Sequence, residues 1–406
     1  MSKKLNQMEK ENNRRSFLKG CGLATIPLIL PTVGLTATSL ANASTVRSVS
    51  KEQAVNFIFD GLAFSPDEYL DKLIEITKQS TIEPDFYGQE GSIRLLEENF
   101  AKITGKEKAV YLPTGTMANQ VAIKLLNGMN TKVIVPENSH IFRDEADAAQ
   151  SVHSKRLVPI GKGEPYFSLN DLKDKINYTN ESEVFKSGLG TVVIESPVRR
   201  ADGVAVPVES IKEISAYCKQ HGYKMHLDGA RLHLAAAYTG VSISAYASYF
   251  DTVYISLYKY LNATGGAILC GDAKMIDQVA HQVKILGGTV YQNWSSSAMA
   301  LHYLKGFKER WKKVRTVSDK LINALNKLEG IQIKSIKNGT NIYDLSLGKE
   351  VNLKTLAIYL YENHNIWLGR ANDKGIVKFT INESILSRDI HTIIAAWEAG
   401  VQKARG

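Results

Sequence analysis

Three short stretches of the chain carry residue types that chemistry needs. Pro113-Thr114-Gly115-Thr116-Met117-Ala118-Asn119 lies between an apolar run and a helical pattern. Glycine lets the backbone approach a ligand closely, and the N-terminus of a following helix offers free N–H groups to an anion. The threonine hydroxyls add donors, although a plain helix cap has the same sequence. Met225-His226-Leu227-Asp228-Gly229-Ala230-Arg231 puts an aspartate where a strand ends, the edge at which open α/β sheets bind ligands. An aspartate that only caps a turn would look alike. Tyr254-Ile255-Ser256-Leu257-Tyr258-Lys259-Tyr260 puts a lysine after an apolar strand and between aromatic rings. That setting desolvates the amine and lowers its pKa, as a Schiff-base lysine requires, whereas an exposed strand-end lysine is the plainer reading. Taken in order, the three supply an anion cradle, a carboxylate for a pyridinium nitrogen and a nucleophilic amine. Those are the parts that pyridoxal phosphate (PLP) requires of its protein.

The elements that would position these residues alternate between strand and helix. Ile93, Leu96, Phe100 and Ile103 share one face of a helix at 92–103 that Gly105 stops. Strands are expected at 109–112, 132–135, 156–160, 191–195, 224–228, 253–257 and 266–270, with helices at 116–126 and 208–220. Strands this apolar argue for a parallel or mixed sheet covered on both faces. One long helical pattern runs from 293 to about 328. Strands at 331–336, 342–347 and 376–381 follow, with helices at 353–363 and at the C-terminus. The chain thus divides into an address at 1–43, a linker at 44–56, a large α/β domain at 57–300, and a connecting helix with a small α+β domain at 301–406.

The composition fits an ordinary globular protein: 406 residues, 44% hydrophobic and 22% charged. The formal net charge is +9, but Lys3, Lys4, Lys10, Arg14, Arg15 and Lys19 concentrate part of it in the address. No clustered basic face remains, so a nucleic-acid partner is not expected. Cys218 and Cys270 read as buried small hydrophobes and not as a disulfide. The nine histidines lack ligand spacing and no C-x-x-C occurs, so no metal site is expected.

At the N-terminus, Asn13-Arg14-Arg15-Ser16-Phe17-Leu18-Lys19 precedes a mildly apolar run that ends in Ala41-Asn42-Ala43. This resembles a bacterial twin-arginine signal peptide, with Asn13 where the consensus has Ser or Thr. The resemblance implies recognition by the twin-arginine export machinery, removal of 1–43 and a periplasmic or extracytoplasmic location. The pathway carries folded cargo, often with a cofactor already loaded.

From about Asn56 to Ala399 the chain resembles the low-specificity L-threonine aldolase group, β-eliminating lyases of fold-type I among PLP enzymes. The landmarks are Tyr87-Gly88, Thr114 to Gln120, Ser139-His140-Ile141-Phe142, Ile194-Glu195, His226 to Arg231, Lys259 and Leu286-Gly287-Gly288. The resemblance implies an aspartate aminotransferase-like, three-layer α/β sandwich with a smaller C-terminal α+β domain. It also implies residue roles. Lys259 would carry the cofactor, and Asp228 would pair with the pyridine nitrogen. His140 would stack on the ring and handle protons. Gly115, Thr116 and Ser256 would hold the phosphate, and Arg231 would grip the substrate carboxylate or a cofactor oxygen. Tyr87 is expected to reach a neighbouring subunit's site in a homodimer or homotetramer. Arg200 matches a family arginine.

The departures fall on the substrate side. The usual Ser-Lys-Gly is Tyr258-Lys259-Tyr260, and a Ser-Asp-Thr near the family's N-terminus reads Phe59-Asp60-Gly61-Leu62. The usual Asn-Thr-His-Asn is Ser196-Pro197-Val198-Arg199. A second carboxylate-binding arginine aligns with Lys378, with Arg370 nearby, and lysine lacks the bidentate fork. The implied reaction is cleavage of Cα–Cβ in a β-hydroxy amino acid to glycine and an aldehyde. The alternatives are β-elimination or racemisation of another amino acid, or a non-catalytic exported binding protein on the same fold.

Overall fold

The structure is a computed structural model that describes residues 53–405. The export signal at 1–43 and residues 44–52 of the expected linker lie outside the described residues. Twelve strands are found among them: β1 (Val55–Asn56), β2 (Lys108–Leu112), β3 (Lys132–Pro136), β4 (Arg156–Ile160), β5 (Leu189–Glu195), β6 (Lys224–Asp228), β7 (Thr252–Ser256), β8 (Ala267–Gly271), β9 (Ile331–Ser335), β10 (Ile342–Leu347), β11 (Ile366–Trp367) and β12 (Ile376–Thr380).

Seven of them form one sheet in the order β2-β8-β7-β6-β5-β3-β4. Only β8 runs against its neighbours, pairing antiparallel with both β2 and β7. The sheet is covered on both faces, and the alternation of side chains along each strand divides the core. In β5, Val192 and Ile194 pack toward Phe100, Ile211 and Ile214. Val193, between them, joins Val133, Val135 and Ile123 on the other face. Helix Gly115–Asn127 lies on that second face, where Ala118, Val121 and Ala122 meet Leu112, Ala267 and Leu269. The result is a three-layer α/β sandwich whose β6 and β7 end at one carboxyl edge, where Asp228 and Ser256 stand.

Helix ends follow side-chain chemistry. Ser65 and Ser168 each close a capping box with the residue three positions on. Gly105 ends helix Gly91–Thr104 in the left-handed conformation, as expected from sequence. Cys218 and Cys270 are free and buried. Among the described residues, no helix is long and apolar enough to cross a membrane.

Two expectations need correction. The helical pattern at 293–328 is two helices, Trp294–Leu304 and Phe307–Leu325, because Gly306 turns left-handed at φ 66° between them. The linker also ends before 56. Val55 and Asn56 form β1, which pairs in parallel with Ile366 and Trp367 of the C-terminal unit. Thr380 N–H then donates to the Phe57 carbonyl (3.0 Å), and the Phe57 ring stacks on Phe379 at 4.1 Å between centroids. Phe57 and Phe379 are fully buried, each contributing roughly 2–3 kcal/mol of transfer free energy. Asn382 completes the seam, donating through Nδ2 to the Asn56 and Phe59 carbonyls. The N-terminal arm therefore belongs structurally with the three-stranded sheet β12-β10-β9 and brings Asp60 to the carboxyl edge.

Candidate active site

The site grows from the ends of β6 and β7 and the start of helix Gly115–Asn127. Lys259 follows β7 by three residues and is 6% exposed. Its Nζ sits 5.1 Å from the centre of the Tyr258 ring. Burial, reinforced by the Arg231 charge, outweighs the nearby Asp60, Asp228 and Glu195 carboxylates and pulls the amine down to about 8.

Asp228 is the last residue of β6 and is buried. Its Oδ1 accepts from the Ala230 backbone N–H (3.2 Å) and its Oδ2 from Asn119 Nδ2 (3.1 Å). The same Asn119 nitrogen donates to Glu145 Oε1 (2.8 Å), and Glu145 meets His140 Nδ1 at 3.0 Å. Behind Asn119, its Oδ1 faces His226 Nε2 (3.0 Å), and His226 Nδ1 faces Thr252 Oγ1 (2.8 Å). Burial lowers the His226 pKa to about 4, so this ring is neutral. With Nε2–H donating to Asn119 and Nδ1 accepting from the Thr252 hydroxyl, only one amide orientation fits. Asn119 is thereby committed to aiming both of its N–H groups at carboxylates.

His140 is held from two sides. Its backbone N–H donates to Glu195 Oε2 (2.6 Å), while Glu195 Oε1 accepts from Arg199 N–H (2.7 Å). Burial and the Asp228 charge raise Glu195 to about 7. At His140 burial disfavours the cation, but the Glu145 hydrogen bond and the charges of Asp228 and Glu145 prevail, and its pKa is raised. His140, Glu145 and Asp228 have ligand-type atoms within 4.8 Å of one another, and Asn119 bridges the two carboxylates.

Gly115 and Thr116 open the helix that Thr114 caps, Thr114 Oγ1 accepting from Met117 N–H (3.2 Å). The Ser256 hydroxyl is buried near this helix start without a hydrogen-bond partner, an uncommon condition for a buried oxygen. Arg231 is paired with Asp60: Nε donates to Oδ1 (2.9 Å) and Nη2 to Oδ2 (2.7 Å). Tyr260 Oη donates to the same Asp60 Oδ1 (2.9 Å) and accepts from Asn341 Nδ2 (2.9 Å).

The structure thus gathers Lys259, Asp228, His140, Arg231, Gly115, Thr116 and Ser256 around one edge. The remaining sequence candidates are Tyr87, Lys378, Arg370 and Arg200. Tyr87 is 58% exposed, with its ring 5.2 Å from that of Tyr291. Lys378 bridges Asp202 and Asp344, each at 2.7 Å. Arg370 is exposed in the connection between β11 and β12. Arg200 pairs with Asp144. Sequence reasoning assigned no role to Asp60, Glu145 or Tyr260. Asn119 and His226 stood inside quoted motifs, and their shared hydrophilicity at buried positions was the available signal.

The beta-eliminating lyase family profile matches residues 71–347. The chain belongs to the beta-eliminating lyases. Within that family, it is 31% identical over 225 residues to the low-specificity L-threonine aldolase of Candida albicans, a match covering 55% of this chain and 59% of that one. The chain therefore spans about three fifths of that relative's length. It is 27% identical over 334 residues to low-specificity L-threonine aldolase 1 of Arabidopsis thaliana, covering 81% of this chain and 92% of the other. Two solved structures share the fold. One, from Exiguobacterium sp. 255-15, is assigned as an aromatic amino acid beta-eliminating lyase/threonine aldolase (TM-score 0.72, 24% identity, covering 86% and 98% of the two chains). The other is serine palmitoyltransferase from S. paucimobilis with PLP and myriocin bound (TM-score 0.61, 14% identity, covering 96% and 99%). Both likenesses establish a fold-type I architecture.

Proposed function

We propose that this beta-eliminating lyase is a PLP-dependent aldolase that cleaves Cα–Cβ of a β-hydroxy amino acid, giving glycine and an aldehyde. One observation carries the reading. Lys259 is a buried amine with a depressed pKa, set across from an Asp228 carboxylate whose orientation Asn119 fixes. The rest of the site fits the cofactor as well. The orphaned Ser256 hydroxyl and the start of helix Gly115–Asn127 suit a phosphate. When bound, PLP supplies an aldehyde for amines and a protonated ring that accepts the electron pair released at Cα.

The chain's own residues do the remainder. Lys259, whose amine loses its proton near pH 8, would attach the cofactor. Asp228 would keep the ring nitrogen protonated, an interaction worth about 4 kcal/mol at the dielectric of a partly buried pair. Arg231 spends Nε and Nη2 on Asp60 and keeps Nη1 for a substrate carboxylate. His140, whose Nδ1 is held by Glu145, keeps Nε2 to take the proton from the substrate's β-hydroxyl.

The test is a panel of β-hydroxy amino acids given to the purified protein. Glycine and an aldehyde are expected in equal amounts. Ammonia with a keto acid would indicate β-elimination instead, and loss of optical rotation alone would indicate racemisation. A Lys259→Ala variant should lose turnover. Activity that survives it would overturn the mechanism.

The same proposal includes the protein's setting. The Arg14-Arg15 motif supports export through the twin-arginine machinery and removal of 1–43; changing both to lysine should leave the protein in the cytoplasm. The exposed Tyr87 and Tyr291 rings support a homodimer or homotetramer, which light scattering would measure.

A further inference from the structure

Tyr254 heads the third of the quoted stretches but has no role there, yet the fold places its hydroxyl at the head of helix Gly115–Asn127. The residue lies in β7 beside Asp228 of β6, its register partner, and is 3% exposed. Its ring packs in the cluster with Leu112, Ala118 and Val121, on the face that this helix covers. A Cβ built on Gly115 would stand 2.0 Å from Tyr254 Oη and 2.6 Å from Cζ. The hydroxyl therefore occupies the side-chain space of the helix's first residue.

The direction of that space matters. Cα–Cβ bonds in a helix tilt toward its N-terminus, so an atom filling the Gly115 side-chain position stands ahead of the first turn. The N–H groups of Gly115 and Thr116 have no acceptor within the helix, and Thr114 already serves Met117. Residues 254 and 256 share a face of β7. The second of them, Ser256, is the 3% exposed hydroxyl without a hydrogen-bond partner. A buried orphan oxygen and a phenol thus stand together before a helix N-terminus of full length. Burial and the Asp228 charge keep the phenol protonated, so that it can donate.

We propose that Tyr254 is a phosphate-binding residue of this site, its hydroxyl donating beside Ser256 and the Gly115 and Thr116 N–H groups. The inference rests on the PLP reading above and adds a residue to it. It also explains Gly115 in this chain: any side chain there would displace the phenol. The adjacent pair Asp228 and Tyr254 then serves both ends of one ligand, the ring nitrogen and the phosphate.

The experiment compares wild type with Tyr254→Phe, which keeps the ring. Both apoproteins are titrated with PLP and with pyridoxal, which has the same ring and aldehyde but no phosphate, and uptake is followed by absorbance. Tyr254→Phe should bind PLP about tenfold or more weakly, the scale of a hydrogen bond to a charged group, with pyridoxal affinity unchanged. Inorganic phosphate should raise the melting temperature of wild type more than that of the variant. Should Tyr254→Phe fold poorly, Gly115→Ala offers the same comparison, since its methyl group must push the phenol aside. Unchanged PLP affinity, or equal weakening for both ligands, would overturn the role of Tyr254 alone. A wild-type protein that binds neither ligand would overturn the cofactor reading and this inference with it.

Discussion

Asp60 and Arg231, 171 positions apart in sequence, meet through two side-by-side hydrogen bonds of 2.9 and 2.7 Å. The pair joins the N-terminal arm to the residue that follows β6 by three. Tyr260, next to Lys259, donates to the same aspartate. The Arg231 charge and hydrogen bond overcome the effect of burial and hold the Asp60 carboxyl at about 2.

That depressed value makes an acid-stability prediction. A carboxyl lowered from 3.8 to about 2 contributes stability above its unfolded value that is lost as the pH falls through the folded one. The amount is about 2 kcal/mol, present in full at neutral pH and lost between about pH 4 and pH 2. In Asp60→Asn, urea unfolding midpoints should fall at pH 7, and this part of the acid dependence should vanish. An unaltered slope across that window would remove Asp60 from the account.

Lys259 should react as an amine with a pKa near 8. The rate at which the apoprotein takes up PLP should rise with pH and level off above about 8, because the neutral amine is the nucleophile. Stopped-flow absorbance would follow it. A rate still climbing toward pH 10 would mean that burial does not perturb the amine.

Removing Asn119 should cost more than one hydrogen bond. Asn119→Ala leaves Asp228, Glu145 and His226 each short of a partner. A fall in stability of about 2–4 kcal/mol is expected, with a drop in kcat/KM of roughly 10- to 100-fold from the misplaced Asp228. Asn119→Asp should be as poor, since it sets a third carboxylate among two. Chemical denaturation and steady-state kinetics measure the two effects separately.

The His140 imidazole should titrate above its ordinary 6.5 in the wild type and fall in Glu145→Gln, which removes the main group favouring the cation after burial has opposed it. NMR of the ring protons reads this directly. A group with a raised folded pKa stabilises the protein below the unfolded value and loses that contribution as pH rises through the folded one. The variant's stability deficit should therefore be larger at pH 5 than at pH 9.

Much of this was legible in the sequence wherever local pattern decided the outcome. The apolar runs at β3, β5, β6 and β7 announce a sheet covered on both faces, and Gly105 announces a helix end. Lys259 and Asp228 could be named because motif and strand end coincide, and His140 through the family resemblance alone. Elsewhere the deciding contact was remote. Nothing near Asn56 signals a strand partner at Trp367. The break at Gly306 was masked by an apolar periodicity that continues through it, although a left-handed residue cannot continue a helix. Lys378 aligns with a family arginine, and its ion-pair partners Asp202 and Asp344 come from segments that local pattern does not connect.

The seam between β1 and β11 sets an order on biogenesis. Asn56 takes its backbone partners from positions beyond 360, and Asp60 hangs from that anchorage by a few residues. Before residues 366–382 are made, Asn56 lacks the partners that anchor the arm from which Asp60 reaches Arg231. A chain clipped before β11 would keep all seven strands of the large sheet, the last of which ends at Gly271, and lose the anchorage of its own N-terminal arm.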